Sequence, residues 1–430
     1  MAEGLGGAAG SRPDSMIREP ALLVAAVVSL FFFWGALVSL NDILIPKLKD
    51  LFQLNYSQAM LIQFAFFTAY AVVSLPAGNL VARVGYGRGI VAGLIVMGTG
   101  CALFVPAASA ASYPLFLGAL FILASGSTIL QVAANPLIAN LGSPDTAHSR
   151  LNLSQAFNSL GTTIAPFIGA QVILGEIADT DPATLSGAAL AEFQAQEAAV
   201  VGQSYLALAI VLFATAVFFW KKRNDLDGGK GQPGTFARCM HLLRCRPRLS
   251  FGVAAIFVYV GAEVTVGSFL VKYLMQPSTL GLTERSAGEY VSLFWGGAMV
   301  GRFAGAALLR YVPAGRLLAA AAIGAAVLAM TSMSSSGAIA AWSLIAIGLT
   351  HSIMFPTIFS LAVERMGDET PSASGLLCVA IVGGALVPLI AGAVADFSSV
   401  ASALIIPVIC YVVIAWFGWH ARHPAHPYAD

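Results

Sequence analysis

Apolar runs long enough to cross a bilayer follow one another along nearly the whole chain, parted only by short polar breaks. They lie near residues 21–45, 57–81, 88–108, 113–139, 151–177 and 203–220, then near 251–273, 287–309, 315–333, 337–362, 373–395 and 399–418. A helix needs roughly 20 such residues to span the hydrocarbon. Lipid offers no partner to backbone N–H and C=O groups, so only helices and closed barrels can cross it. These runs are too long and uniform for membrane strands. Charged residues make up only 10% of the chain, against about 25% in soluble domains. The expected fold is all-α: a polytopic membrane protein of twelve transmembrane helices in two six-helix bundles.

The division into bundles rests on the basic stretch 221–248, which carries Lys221, Lys222, Arg223, Arg244, Arg246 and Arg248 between two sets of six runs. Six spans, a charged loop and six more spans is the plan of a transporter built from two related halves. The expected organisation is a tail 1–19, a bundle 20–220, a linker 221–249, a bundle 250–420 and a tail 421–430. Arg12, Arg18, Arg83, Arg88, Arg150, Arg310, Arg316, Arg365 and Arg422 all fall on one side if both termini are cytoplasmic. Lys47, Lys49 and Lys272 fall on the other side and weaken the bias without reversing it. The acidic segment with Glu176, Asp179, Asp181, Glu192 and Glu197 then forms an external loop after span five.

Asp42 is the first functional suspect. It is the only acid between Pro20 and Pro46, deep in the first apolar run. An acid in such a place is expensive and commonly binds a proton, an ion or a polar substrate. Burial raises a carboxylate pKa toward working pH, which suits a reversible proton carrier. Asn41 precedes it, and Pro46 can free carbonyls at the helix end. In span four, Ser127, Gln131 and Asn135 recur every four residues and form one stripe; Asn152, Gln155, Asn158 and Ser159 do the same in span five. Amides donate and accept at once, which suits sugar hydroxyls. Gln63 in span two joins this candidate binding set.

The second half contributes Tyr259 and Glu263, one turn apart in span seven. Glu263 can bind hydroxyls, titrate or pair with Arg302 of span eight. His351 reads first as a packing or hydrogen-bonding residue. Trp34 and Trp295 are the candidate stacking rings for the apolar side of a sugar. A weak internal repeat sets Gly78, Arg83 and Arg88 against Gly305, Arg310 and Arg316. With Arg302, these residues read as a gate or latch between helix ends. The spacings of Cys101, Cys239, Cys245 and Cys378 match neither a disulfide framework nor a metal knuckle. There is no phosphate loop, zinc-spaced cluster or nucleophile triad, which argues against an ATP-driven pump or a membrane hydrolase. No cofactor and no nucleic-acid partner are expected, and no cleavable signal is evident before the first run.

The chain resembles the fucose permease and glucose/galactose transporter group of major facilitator transporters over about residues 20–420. The motifs that carry the likeness are Ser39-Leu-Asn-Asp-Ile-Leu-Ile-Pro46, Gln131-Val-Ala-Ala-Asn-Pro136, Arg150-Leu-Asn-Leu-Ser-Gln-Ala-Phe-Asn-Ser-Leu-Gly161, Tyr259-Val-Gly-Ala-Glu263 and Phe355-Pro-Thr-Ile-Phe-Ser360. The resemblance implies proton-coupled uptake of a hexose or amino-hexose across a bacterial inner membrane, by a functional monomer, with the proton at Asp42. Fucose-transporting members place a glutamate where this chain has Gln131, and a glutamine where it has Glu263. That exchange favours glucose, galactose or mannose over L-fucose. N-acetylglucosamine, facilitated uniport and a non-transporting sugar sensor remain alternatives.

Overall fold

A computed structural model describes residues 24–37, 39, 52, 56–173, 187–226 and 236–423; a few side chains inside its helices, Gln63 among them, lie outside that description. The first half comprises α1 (Val24–Leu37), α2 (Tyr56–Val84), α3 (Tyr86–Ser109), α4 (Tyr113–Asn140), α5 (Ala147–Ile173) and α6 (Ala188–Lys222). A short α7 (Phe236–Cys245) follows, then α8 (Pro247–Leu274), α9 (Glu284–Leu308), α10 (Ala314–Ser334), α11 (Gly337–His351) and α12 (Met354–Ala362). The chain closes with α13 (Thr370–Val379), α14 (Gly383–Phe397), α15 (Val400–Ala403) and α16 (Ile405–His420). The pairs α11/α12, α13/α14 and α15/α16 each make one crossing. Counted so, ten helical stretches among the described residues are long and apolar enough to span a membrane. Adding α1, whose described part is a shorter apolar helix, and α5 accounts for the twelve expected crossings. The polar residues His148, Arg150, Asn152, Gln155 and Asn158 lower the hydropathy of α5.

Small residues set the packing. In the first half α3 lies against α4 and α6, and α4 against α2; in the second, α16 packs on α10 and α8, and α9 on α11. A Cβ on Gly93 of α3 would stand 2.8 Å from Leu130 N of α4, and one on Gly418 of α16 would stand 2.7 Å from Ala319 N of α10. In lipid, where apolar burial gives no drive for association, such close backbone approach is a main source of helix affinity.

Two segments expected as loops contain helix. Glu192 lies on α6, which begins well before the apolar run at 203. Its first turns are rich in Ala, Glu and Gln, strong helix formers that a hydropathy reading passes over. The linker holds α7, which buries Cys239 and Leu242 and packs on α8 and α13. Arg238 in the first turn of α7 and Arg246 just past its end pair with Glu369 at 3.3 and 3.5 Å. Burial pushes the Cys239 thiol pKa up, with Arg238 opposing it.

The halves meet where α2 and α4 touch α13, and where α5 touches α9 and α12. Gly78 and Gly375 make the first contact possible: a Cβ on either would lie 2.9 Å from Pro371 O or 2.8 Å from Ser74 O, respectively. His148 Nδ1 and Ser360 Oγ are 2.7 Å apart, Ser149 Oγ donates to Ala306 O at 2.6 Å, and Ser374 Oγ donates to Val132 O at 3.0 Å. These links gather at the end that carries the α2–α3 turn, where Gly85 takes φ 86°. The molecule is closed between its halves at that end.

Candidate functional site

The stripe on α4 is buried and becomes the polar spine of the first half. Gln131 Nε2 donates to Tyr70 OH at 2.6 Å, and Tyr70 OH lies 3.3 Å from Ser127 Oγ. Trp34 Nε1 donates to the same Oγ at 2.8 Å. Since Tyr70 accepts from Gln131, its own hydrogen is free to go to Ser127. Trp34 is thereby fixed through its indole N–H, with its ring edge-on to Phe31. One turn further, Gln155 Nε2 reaches Asn135 Oδ1 at 3.4 Å, and Asn152 Nδ2 donates to His148 O at 3.0 Å and to Thr357 Oγ1 of the other half at 3.3 Å. Three atoms of this spine, Gln131 Oε1, Asn135 Nδ2 and Asn152 Oδ1, are buried without a hydrogen-bond partner. Each such group costs about 1–3 kcal/mol unless something satisfies it.

Asn158 has a different place. Its Nδ2 donates to Phe31 O at 3.0 Å, and a Cβ on Gly161 would lie 2.9 Å from Ala36 N. Asn158 therefore ties α5 to α1 as a staple. Asn41 and Asp42 lie outside the described residues, as does the Gln63 side chain. A separate crevice lined by Leu30, Phe33, Trp34, Met97, Leu130 and Val211 is walled by carbon and has none of the amides.

In the second half Tyr259 OH donates to Glu263 Oε1 at 2.6 Å, with His351 O also in reach at 3.3 Å. His351 is 1% exposed; its Nε2 meets Tyr411 OH at 2.6 Å, and its Nδ1 is buried without a partner. The ring stands edge-on to Tyr259 and Phe294. Arg302 makes no direct salt bridge with Glu263, but its charge acts on that carboxylate across the intervening space. Its Nε donates to Ser352 O at 3.2 Å, and its Nη1 hydrogen-bonds Ser159 of the other half. The cause is local: Pro356 has no N–H to offer the carbonyl four residues earlier, so Ser352 O needs another donor. Trp295 is exposed but shares its face of α9 with Met299 and Arg302, which touch Thr163 and Ser159 of α5. It also stands beside Gly267, one turn past Glu263 on α8. That position puts Trp295 against α8, one helical turn from Glu263.

The suspected latch residues divide. Gly78 sits in the contact with α13, while Gly305 faces Ile353. Arg310 Nε reaches Ser149 Oγ across the halves at 3.5 Å; Arg83, Arg88 and Arg316 are exposed at the same end. Sequence reasoning did not single out Tyr70 as a hydrogen-bond centre or Ser374 as a link between halves. The second had a signal: Pro136 deprives Val132 O of its helical donor, and Ser374 supplies one.

The Major Facilitator Superfamily model matches residues 22–381. A Brucella abortus protein described as a glucose/galactose transporter is 52% identical over 395 residues, covering 92% of this chain and 93% of its own length. The L-fucose-proton symporter of Escherichia coli is 33% identical over 91% of each chain. The crystal structure of FucP in the outward conformation superposes with a TM-score of 0.86 at 32% identity, covering 93% of this chain and 98% of that one. The chain belongs to the Major Facilitator Superfamily.

Proposed function

We propose that this protein is a proton-coupled symporter that brings a neutral hexose of the glucose, galactose or mannose type into the cell by alternating access. The observation that carries the reading is the set of buried atoms without partners, Gln131 Oε1, Asn135 Nδ2, Asn152 Oδ1 and His351 Nδ1, drawn from both halves. A sugar hydroxyl donates and accepts, so it can satisfy acceptors and donors alike. Glu263 supplies a carboxyl acceptor on α8, and Trp295, one turn along that helix, supplies a ring. The identity with a relative described as a glucose/galactose transporter supports the substrate class. Likeness to a proton symporter supports the coupling ion.

The mechanism assigns the proton to Asp42, with Glu263 as the second carboxylate of the cavity. Basic residues at the closed end support a cytoplasmic assignment for it, with both termini inside and this conformation outward-facing. The moving units are 20–220 and 250–420, joined by the linker 221–249, in a monomer of the bacterial inner membrane. Protonation of Asp42 removes the penalty of enclosing a charge. Sugar then binds across both halves, and rocking of one bundle against the other exposes it inward.

The test is sugar-triggered internal acidification of proteoliposomes, read with a pH dye for glucose, galactose, mannose, L-fucose and N-acetylglucosamine. Acidification with one of the first three sugars is expected. Labelled-sugar exchange without acidification would refute symport, and silence in both would refute the sugar assignment.

A further inference from the structure

The same two-residue device closes the last helix of each half. Trp220 and Arg223 stand at the end of α6, and Trp419 and Arg422 at the end of α16, with equal spacing. The Arg223 guanidinium carbon lies 4.1 Å from the Trp220 ring centroid, and that of Arg422 lies 4.4 Å from Trp419. In both pairs Nη1 donates back to the tryptophan carbonyl, at 2.5 Å for Arg223 and 2.8 Å for Arg422. Both indoles are half-exposed, 51% and 59%. The two pairs lie at the closed end of the molecule, where the linker and the C-terminal helix emerge.

The carbonyl and the indole face hold each guanidinium over the ring, at the depth where tryptophans sit at a membrane surface. Only Nη1 of each guanidinium donates to the tryptophan carbonyl, and the guanidinium's remaining N–H groups form the planar fork that suits a phosphate. Lys221 and Lys222 stand beside Arg223, and His420 and His423 beside Arg422. Beside the first pair Asp225 is engaged by Lys222 at 3.4 Å; beside the second, Arg248 donates to His423 O at 3.0 Å and holds Glu364 in an ion pair. His420 is stacked on Trp416 at 5.5 Å between centroids, which extends the aromatic floor of the second pair.

We propose that these two Trp–Arg pairs are matched binding sites for the phosphate of an anionic phospholipid headgroup in the leaflet at the closed end. Simple capping of a helix end needs the guanidinium near the carbonyl but does not need an exposed indole beneath it. Twin sites on the last helix of each half would hold both bundles at one depth while they rock.

The experiment compares the protein with Arg223→Gln, Arg422→Gln and the double variant, purified with phosphatidylglycerol or phosphatidylcholine. Native mass spectrometry counts retained lipids, and melting temperature is read in parallel on the wild-type protein in phosphatidylcholine vesicles with and without phosphatidylglycerol. Each single variant should retain one phosphatidylglycerol fewer, and the double variant two fewer, with phosphatidylcholine retention unchanged. Phosphatidylglycerol should raise the wild-type melting temperature, and inorganic phosphate should not reproduce the rise. Equal phosphatidylglycerol retention by wild type and double variant would overturn the proposal. So would an equal rise with inorganic phosphate, which would mark a free-anion site, or a wild-type protein indifferent to phosphatidylglycerol.

Discussion

Replacing Ser374 by alanine should open the closed end of this transporter. Pro136 interrupts the hydrogen bonding of α4, because it has no N–H for Val132 O. Ser374, fully buried on α13 of the opposite half, donates to that carbonyl at 3.0 Å. Removing the hydroxyl leaves a buried carbonyl without a partner only while this end is closed, since water reaches it once the halves part. The penalty for such a group is about 1–3 kcal/mol, so the ratio of open to closed should rise roughly 5- to 150-fold. Spin labels at the exposed positions Arg88 and Arg316, one in each half, would report the separation by double electron–electron resonance. Cys245 is exposed and must be replaced first; Cys101, Cys239, Cys378 and Cys410 are buried. A longer-distance population should grow in Ser374→Ala. The decisive control is Pro136→Ala, which restores an N–H that can serve Val132 O from within α4. In that background Ser374→Ala should have much less effect, a coupling that a double-mutant cycle isolates. An unchanged distance distribution, or equal effects of Ser374→Ala with and without Pro136, would refute the reasoning.

Gly78→Val should act in the same direction, since its Cβ would lie 2.9 Å from Pro371 O; the same labels should show the halves forced apart, and an unaltered closed population would contradict the contact. Gln131→Ala removes the donor that Tyr70 OH receives at 2.6 Å, and should weaken sugar binding by about 0.5–1.5 kcal/mol, roughly 2- to 10-fold, in equilibrium binding of labelled sugar. Asn158→Ala should lower the melting temperature while leaving that affinity unchanged, because its amide holds Phe31 O. Asp42→Asn should retain sugar exchange and lose uphill uptake in proteoliposomes; normal proton-driven accumulation would remove Asp42 as the carrier.

What the sequence discloses follows the physics of each level. The crossings are legible because hydrocarbon demands long apolar helices, and nothing in the folded protein overrides that demand. The start of α6 and the whole of α7 are not legible by hydropathy. Ala, Glu and Gln in the first case, and burial of Cys239 and Leu242 in the second, make helix without making a span. The stripe Ser127, Gln131, Asn135 is visible as helical spacing, yet its partner Tyr70 depends on how α2 is rotated against α4. Opposite charge couples Arg302 to Glu263 at a distance, but where its direct hydrogen bonds go, to Ser352 O and Ser159, is not legible in the sequence.

Arg302 and Ser374 therefore answer one rule. A proline at position i inside a membrane helix releases the carbonyl at i−4, and lipid has no donor to return to it. Pro136 releases Val132 O, which takes its donor from the other half; Pro356 releases Ser352 O, which takes it from an arginine that also reaches the other half. The freed carbonyls can be read from local sequence, but their donors cannot, because they come from helices far along the chain. At Val132 the donor comes from the other half, so Pro136 makes backbone satisfaction depend on the conformational state; at Ser352 the donor lies in the same half, and the part that depends on that state is the contact of Arg302 with Ser159. That dependence gives the closed end a defined hydrogen-bond cost of opening, and it is the physical basis for expecting Ser374→Ala to shift the equilibrium.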